Sequence, residues 1–186
     1  MVEYMLYSLI LVLIYGLINE VKMPVLLNAE IMKSENRWRV VNDDVMGGIS
    51  RSALKVSEAG TVVFTGSVSL ENNGGFASMR SQIREYDFTG YEGIELKIKG
   101  DGKIYGISMK ETAYFTGYFY SVTFETKKDE WMIIRLPFNR FYHKYFGREI
   151  NSSPVIPLDK IKEVSFIISD KQEGSFTAEI EYVSLY

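Results

Sequence analysis

Two adjacent carboxylates, Asp43 and Asp44, stand in the run Trp-Arg-Val-Val-Asn-Asp-Asp-Val-Met-Gly-Gly-Ile-Ser from Trp38 to Ser50. Asn42 and the two aspartates favour turns, because their short side chains bond nearby backbone. Gly47 and Gly48 permit positive φ or a close backbone approach. The run therefore reads as a shaped loop. Its carboxylates have three chemistries open to them: hard oxygen ligands for Ca²⁺, a general acid or base, or braces that cap backbone N–H groups. Neighbours in sequence are poorly placed to flank a substrate, and Asx turns are common, so bracing is the favoured reading. Arg80 is the matching cation. Alternation from Phe76 puts Ser78 and Arg80 on one face, with Ala77 and Met79 on the more apolar other. A guanidinium so placed can grip a carboxylate bidentately. The expected partner is Asp43 or Asp44, ahead of an external anion, because the acidic loop needs a counter-charge.

A second group of candidates is aromatic: Tyr105, Tyr114, Phe115, Tyr118, Phe119 and Tyr120. Thr112 to Gly117 reads as a turn tip that exposes Tyr114 and Phe115. Such rings suit a sugar face or a protein hot spot; the alternative is that Tyr118 and Tyr120 pack in cross-strand pairs. The stretch Phe138 to Arg148 mixes Arg140, His143, Lys144 and Arg148 with five aromatic rings. That composition is typical of protein interfaces, unless Phe138 and Phe141 simply plug the end of the fold. The candidate ligand- or partner-binding set is thus Asp43, Asp44, Arg80, Tyr114, Phe115, Tyr118 and Arg148, with no catalytic residue assigned.

The elements that must hold these groups are strands. The 186 residues carry 13 Tyr and 11 Phe and many β-branched side chains, a bias toward sheet. Val62, Phe64, Val68 and Leu70 share one face, and Ile94, Leu96 and Ile98 alternate with Glu95, Lys97 and Lys99. Gly100-Asp101-Gly102 reads as a hairpin turn into Ile104 to Lys110. Trp131 to Leu136 is more evenly apolar and reads as a central strand. Phe138 to Pro157 reads as a long loop with one helical turn. Roughly eight or nine strands at regular spacing indicate a β-sandwich or barrel.

Composition also excludes. A net charge of −3 argues against a nucleic-acid partner. With no Cys and one His, thiolate chemistry and multi-histidine zinc sites are ruled out. Residues 1–30 stand apart as an apolar leader. Met5 to Ile18 is uncharged, near the length of a signal-peptide apolar region and short for a span. It lacks a preceding Lys or Arg and a clean cleavage site, and no Arg occurs before Arg37, which disfavours a mitochondrial transit peptide. A signal or an anchor is expected there, giving an exported or membrane-associated protein, and otherwise a cytoplasmic one. The globular domain is expected over 31–186.

An ordered set of signatures carries a family resemblance: Trp38 with Asn42-Asp43-Asp44-Val45-Met46-Gly47-Gly48-Ile49-Ser50; Phe64-Thr65-Gly66; Glu71 to Arg80; Gly100 to Tyr105; Trp131; Leu136-Pro137-Phe138 with Phe141; Gly147-Arg148; and Gly174-Ser175-Phe176. The chain resembles the complex I intermediate-associated protein family over about residues 36–186. The resemblance implies an all-β jelly-roll sandwich of the galactose-binding-like type. It also implies a non-catalytic domain that binds a protein partner, in mitochondrial members a membrane complex under assembly. It carries over no catalytic set and no cofactor. The alternative is an exported carbohydrate-binding module with a structural calcium, by analogy of fold. A hydrolase using Asp43 or Asp44 is a third class without supporting spacing.

Overall fold

The computed structural model describes residues 24–35, 37–114 and 116–186. Period-two alternation is realised along Val62–Val68, where Val62, Phe64 and Val68 are buried while Ser67 faces water. Thirteen strands form among the described residues. They are β1 (Val25–Asn28), β2 (Trp38–Asn42), β3 (Arg51–Val56), β4 (Val62–Val68), β5 (Ala77–Ser81), β6 (Gly93–Lys99), β7 (Ile104–Lys110), β8 (Tyr118–Glu125), β9 (Trp131–Pro137), β10 (Tyr142–Tyr145), β11 (Arg148–Asn151), β12 (Glu163–Ile168) and β13 (Gly174–Leu185). One short helix, α1 (Ala29–Glu35), starts at Asn28, whose Oδ1 accepts the Ile31 N–H at 2.8 Å.

Two antiparallel sheets result. The first runs β3-β4-β13-β6-β9, and the second β11-β10-β8-β7-β12-β5-β2. The long β13 is the spine of the first. On one edge β4 lies along its Gly174–Ile180 part and β1 along Tyr182–Ser184, with β6 on the other edge. The sheets enclose one core. At its centre Phe64 packs on Phe176 at 4.9 Å between centroids and edge-on to Phe166, and Tyr105 stacks on Phe166 at 5.1 Å. Each such ring taken from water contributes on the order of 2 kcal/mol. The expected two-sheet all-β sandwich is the architecture found.

Several elements differ from expectation. β1 falls within the stretch assigned to the leader, and its pairing with β13 makes it part of the sandwich. Residues 1–23, with the expected signal or anchor, lie outside the described residues. Gly100-Asp101-Gly102 is not a hairpin turn: β6 pairs with β9 and β13, β7 with β8 and β12, so the turn crosses between sheets. Asp101 secures the crossing, accepting bonds from Tyr105 Oη (3.0 Å) in one sheet and Thr177 N (2.9 Å) in the other. β9 is an edge strand rather than a central one. Its apolar look arises because Trp131 and Ile133 sit on the outer face, where Lys97 and Lys99 lie over the indole at 5.8 and 5.1 Å. Phe138 to Pro157 supplies the expected helical turn at Phe138–Arg140 and then the β10–β11 hairpin, which adds two strands to the second sheet.

Candidate functional site

The acidic loop is built around one carboxylate. β2 ends at Asn42, a 3-10 turn covers Asp43–Met46, and Gly47 closes it at φ +90. Asp43 is buried and accepts four bonds. Ser50 N reaches Oδ1 at 2.9 Å, while Ser50 Oγ (2.5 Å), Gly75 N (2.7 Å) and Phe76 N (3.3 Å) reach Oδ2. Ser50 Oγ also accepts Ser69 N at 3.0 Å, so the loop at 43–50 and the turn at 69–76 are one unit. A Cβ on Gly48 or Gly74 would occupy the space of this carboxylate, which explains glycine at both positions. Burial pushes the Asp43 carboxyl up, but the Ser50 hydroxyl and the three N–H donors outweigh it and hold it below the ordinary aspartate range. With four donors aimed at its two oxygens, the Asp43 carboxylate is satisfied within the fold. Asp44 is exposed beside it. Among the described residues no cluster of three or more His, Asp or Glu side chains is placed to hold a metal.

Arg80 does not meet this loop. Register pairs Asn42 with Ala77 but Arg39 with Arg80, which puts Arg80 four residues, about 13 Å, along the strand from the level of Asp43. Its partners lie on β5 and β12: Arg80 Nε donates to Ser78 Oγ at 3.1 Å, and Nη1 stands 3.9 Å from Glu163 Oε1. Glu163, 1% exposed, is the hub of a cluster absent from the sequence reading. Arg39 Nη2 donates to Oε2 at 2.9 Å, and Lys110 Nζ lies 2.9 Å from Oε1, outside hydrogen-bonding angles. Burial pulls the Arg80 guanidinium down, Glu163 opposes this, and the neighbouring Arg39 adds to the lowering. The one sequence signal for Glu163 was a lone carboxylate at the mouth of an apolar strand.

A third buried carboxylate, Glu95, lies on the outer face of the first sheet. Arg135 Nε (2.7 Å) and Tyr182 Oη (2.8 Å) donate to it. The Arg135 bond, with help from Tyr182, holds Glu95 below the usual range against its burial, and burial together with Glu95 pushes Tyr182 up to about 12.

The aromatic candidates gather at the β8–β10 end. Tyr118 shares a face with buried Val122 and Phe124, yet it is 45% exposed, so the first sheet does not cover this end. Its ring packs on Tyr145 at 4.5 Å, and Tyr120 stacks on His143 at 4.8 Å. A shallow cleft beside them is lined by Lys110, Glu111, Thr112, Thr116, Tyr118, Phe119, Tyr120 and His143. Tyr114 is 79% exposed on the adjoining loop. Phe115 lies outside the described residues. Arg148 is exposed on β11, paired in register with Tyr145. Tyr114 and Tyr118 thus lie near one cleft, while Asp43, Asp44 and Arg80 lie elsewhere on the molecule.

Two antiparallel sheets with a shaped loop at one end and a ring-bearing cleft at another define a β-sandwich of the galactose-binding-like fold. Among solved structures, a family 11 carbohydrate-binding module of a Clostridium thermocellum cellulosomal cellulase matches at TM-score 0.60 with 14% identity, covering 80% of this chain and 86% of that one. The same kind of module in complex with a β-1,3-1,4-mixed-linked tetrasaccharide matches at 0.59, also with 14% identity, covering 80% and 88%. At that identity the likeness establishes fold. Residues 28–180 match the complex I intermediate-associated protein 30 family, and the chain belongs to it. Its relatives include complex I intermediate-associated protein 30, mitochondrial, of Drosophila melanogaster, 28% identical across 81% of this chain and 58% of that protein. The Mus musculus protein of that name is 26% identical, across 81% and 52%. The chain thus spans little more than half the length of these relatives. No helix among the described residues is long and apolar enough to cross a membrane.

Proposed function

We propose that the chain is a non-catalytic binding domain that engages a protein partner during assembly of a respiratory membrane complex. Family membership carries this reading, since relatives named as complex I intermediate-associated proteins match across four-fifths of the chain. The chemistry of the acidic loop is consistent with it. Asp43, one of the two adjacent carboxylates weighed for catalysis, is enclosed and accepts four hydrogen bonds within the fold, which suits a brace better than a general base. The test is affinity capture of the tagged full chain from gently solubilised native membranes. Recovery of a defined set of respiratory-complex subunits supports the reading, and a chain recovered alone counts against it.

Carbohydrate binding is the second reading, favoured by the exposed rings of Tyr118 and Tyr145 beside the cleft. A glycan array probed with the native chain and with Tyr118→Ala and Tyr114→Ala separates it from the first. Signal abolished by either substitution selects sugar; a blank array removes it. A structural calcium would have to use Asp44 and loop carbonyls, since Asp43 is occupied. The melting temperature is expected to stay constant on adding Ca²⁺, and a rise that Asp44→Ala removes would reinstate the metal.

A further inference from the structure

Register across the second sheet lines up Arg39, Arg80, Ser165, Ser108, Ser121 and Tyr142 in one row, crossing β2, β5, β12, β7, β8 and β10. This row lies on the outer face, opposite Met79, Phe166, Ile107 and Val122 in the core. Two arginines directly opposite each other across a strand pair repel. Lys110 brings a third cation, and Glu163 is the one carboxylate paired with all three. No other carboxylate pairs with them among the described residues, so two positive charges remain in excess. The guanidinium donors are also far from used up. Of five N–H groups on each, Arg39 commits one to Ser81 O and one to Glu163, and Arg80 one to Ser78 Oγ. Between Arg80 and Ser108 in the row, Ser165 is 8% exposed, and its hydroxyl has no hydrogen-bond partner among the described residues. A serine hydroxyl open to solvent beside surplus guanidinium donors is a seat for an oxyanion.

We infer that this row binds the side-chain carboxylates of an acidic, extended peptide segment, Arg39, Arg80 and Lys110 taking the charge and Ser165 the second oxygen. The inference deepens the protein-binding reading and rests on it for the source of the peptide. Peptide is favoured over acidic sugar because the rings on this face, Phe119 and Tyr142, lie on β8 and β10, away from Arg39 and Arg80 on β2 and β5, while Tyr118 and Tyr145 lie on the opposite face. The floor around the cations is instead serine with half-buried Val41 and Ile167. Six strands at their ordinary spacing span about 24 Å, the length of about seven extended residues.

The probe is an acetylated, amidated heptapeptide alternating glutamate and alanine, titrated calorimetrically into the full chain at low salt. Its glutamine counterpart and a galacturonate oligomer of similar length serve as the other arms. The glutamate peptide should bind, about tenfold more weakly with Arg39→Gln and more weakly as salt rises. Glu163→Gln removes the internal competitor and keeps the side-chain shape, so it should tighten binding several-fold, which a purely structural glutamate would not do. Equal binding of the glutamine peptide, tighter binding of the galacturonate, or no binding by either native chain or Glu163→Gln overturns the inference. Capture of a respiratory complex undiminished by Arg39→Gln overturns this site and leaves the assembly reading standing. Peptide binding without any such capture does the reverse.

Discussion

Asp43 gathers one hydroxyl and three backbone donors into a buried site, so its removal strands all four. Asp43→Ala should lower unfolding free energy by about 3 kcal/mol, read by urea titration, with Asp43→Asn losing less. Gly48→Ala should be comparably harmful, because its methyl group would stand on the carboxylate. The depressed acidity fixes the sign of the pH effect. The folded carboxyl lies below its unfolded value of about 3.9, so its contribution is complete above that pH and is lost as pH falls through the folded value. Native stability should therefore drop below about pH 4, and the drop should be shallower in Asp43→Asn; parallel curves would contradict the assignment. Local chemistry made this brace legible from Asn42, the aspartates and the glycines. Its supposed partner Arg80 was not legible, because the true partner Glu163 lies 83 residues on and meets it only through the β5–β12 register.

Elements carry their own tests. Trp38 roots β2 in the core, and its Nε1 donates to Leu26 O of β1 at 3.0 Å, tying the two sheets together. Trp38→Phe keeps most of the ring and loses the bond, so a loss of about 1 kcal/mol is expected, against about 4 kcal/mol for Trp38→Ala. In β4, Gly66 faces the backbone of β3 at Arg51 and Ser52 and the Phe176 ring, with no room for a Cβ. Gly66→Ala should destabilise by 2 kcal/mol or more, on the order of other overpacking changes, and early amide exchange of β3 would show where. Most strands were readable from period-two alternation, but their partners were not. β6–β7 looked like a hairpin because a Gly-Asp-Gly turn is equally suited to changing sheets. β9 looked central because an edge strand can show apolar residues when lysine stems and ammonium groups cover them.

At the scale of the molecule, the sandwich holds the braced loop apart from its other candidate surfaces, the ring-bearing cleft and the basic row on the second sheet, which share Lys110. Fold class and family were legible because they rest on an ordered series of local signatures. The basic row was not, because it is assembled from β2, β5, β7 and β12, which alternate apolar and polar residues as any strands of a sandwich do. The separation has a consequence for function. Arg39→Gln, at a half-exposed guanidinium, should impair partner capture while lowering the melting temperature less than Asp43→Ala does, so binding and stability can be told apart. The central claim, that this is a protein-binding domain of respiratory-complex assembly, is tested most directly by affinity capture of the full chain from native membranes with quantitative mass spectrometry. The account predicts recovery of a discrete assembly intermediate, stoichiometric in a few respiratory subunits and unaffected by competing oligosaccharide. A chain that returns without those subunits, or whose companions are released by sugar, would contradict it.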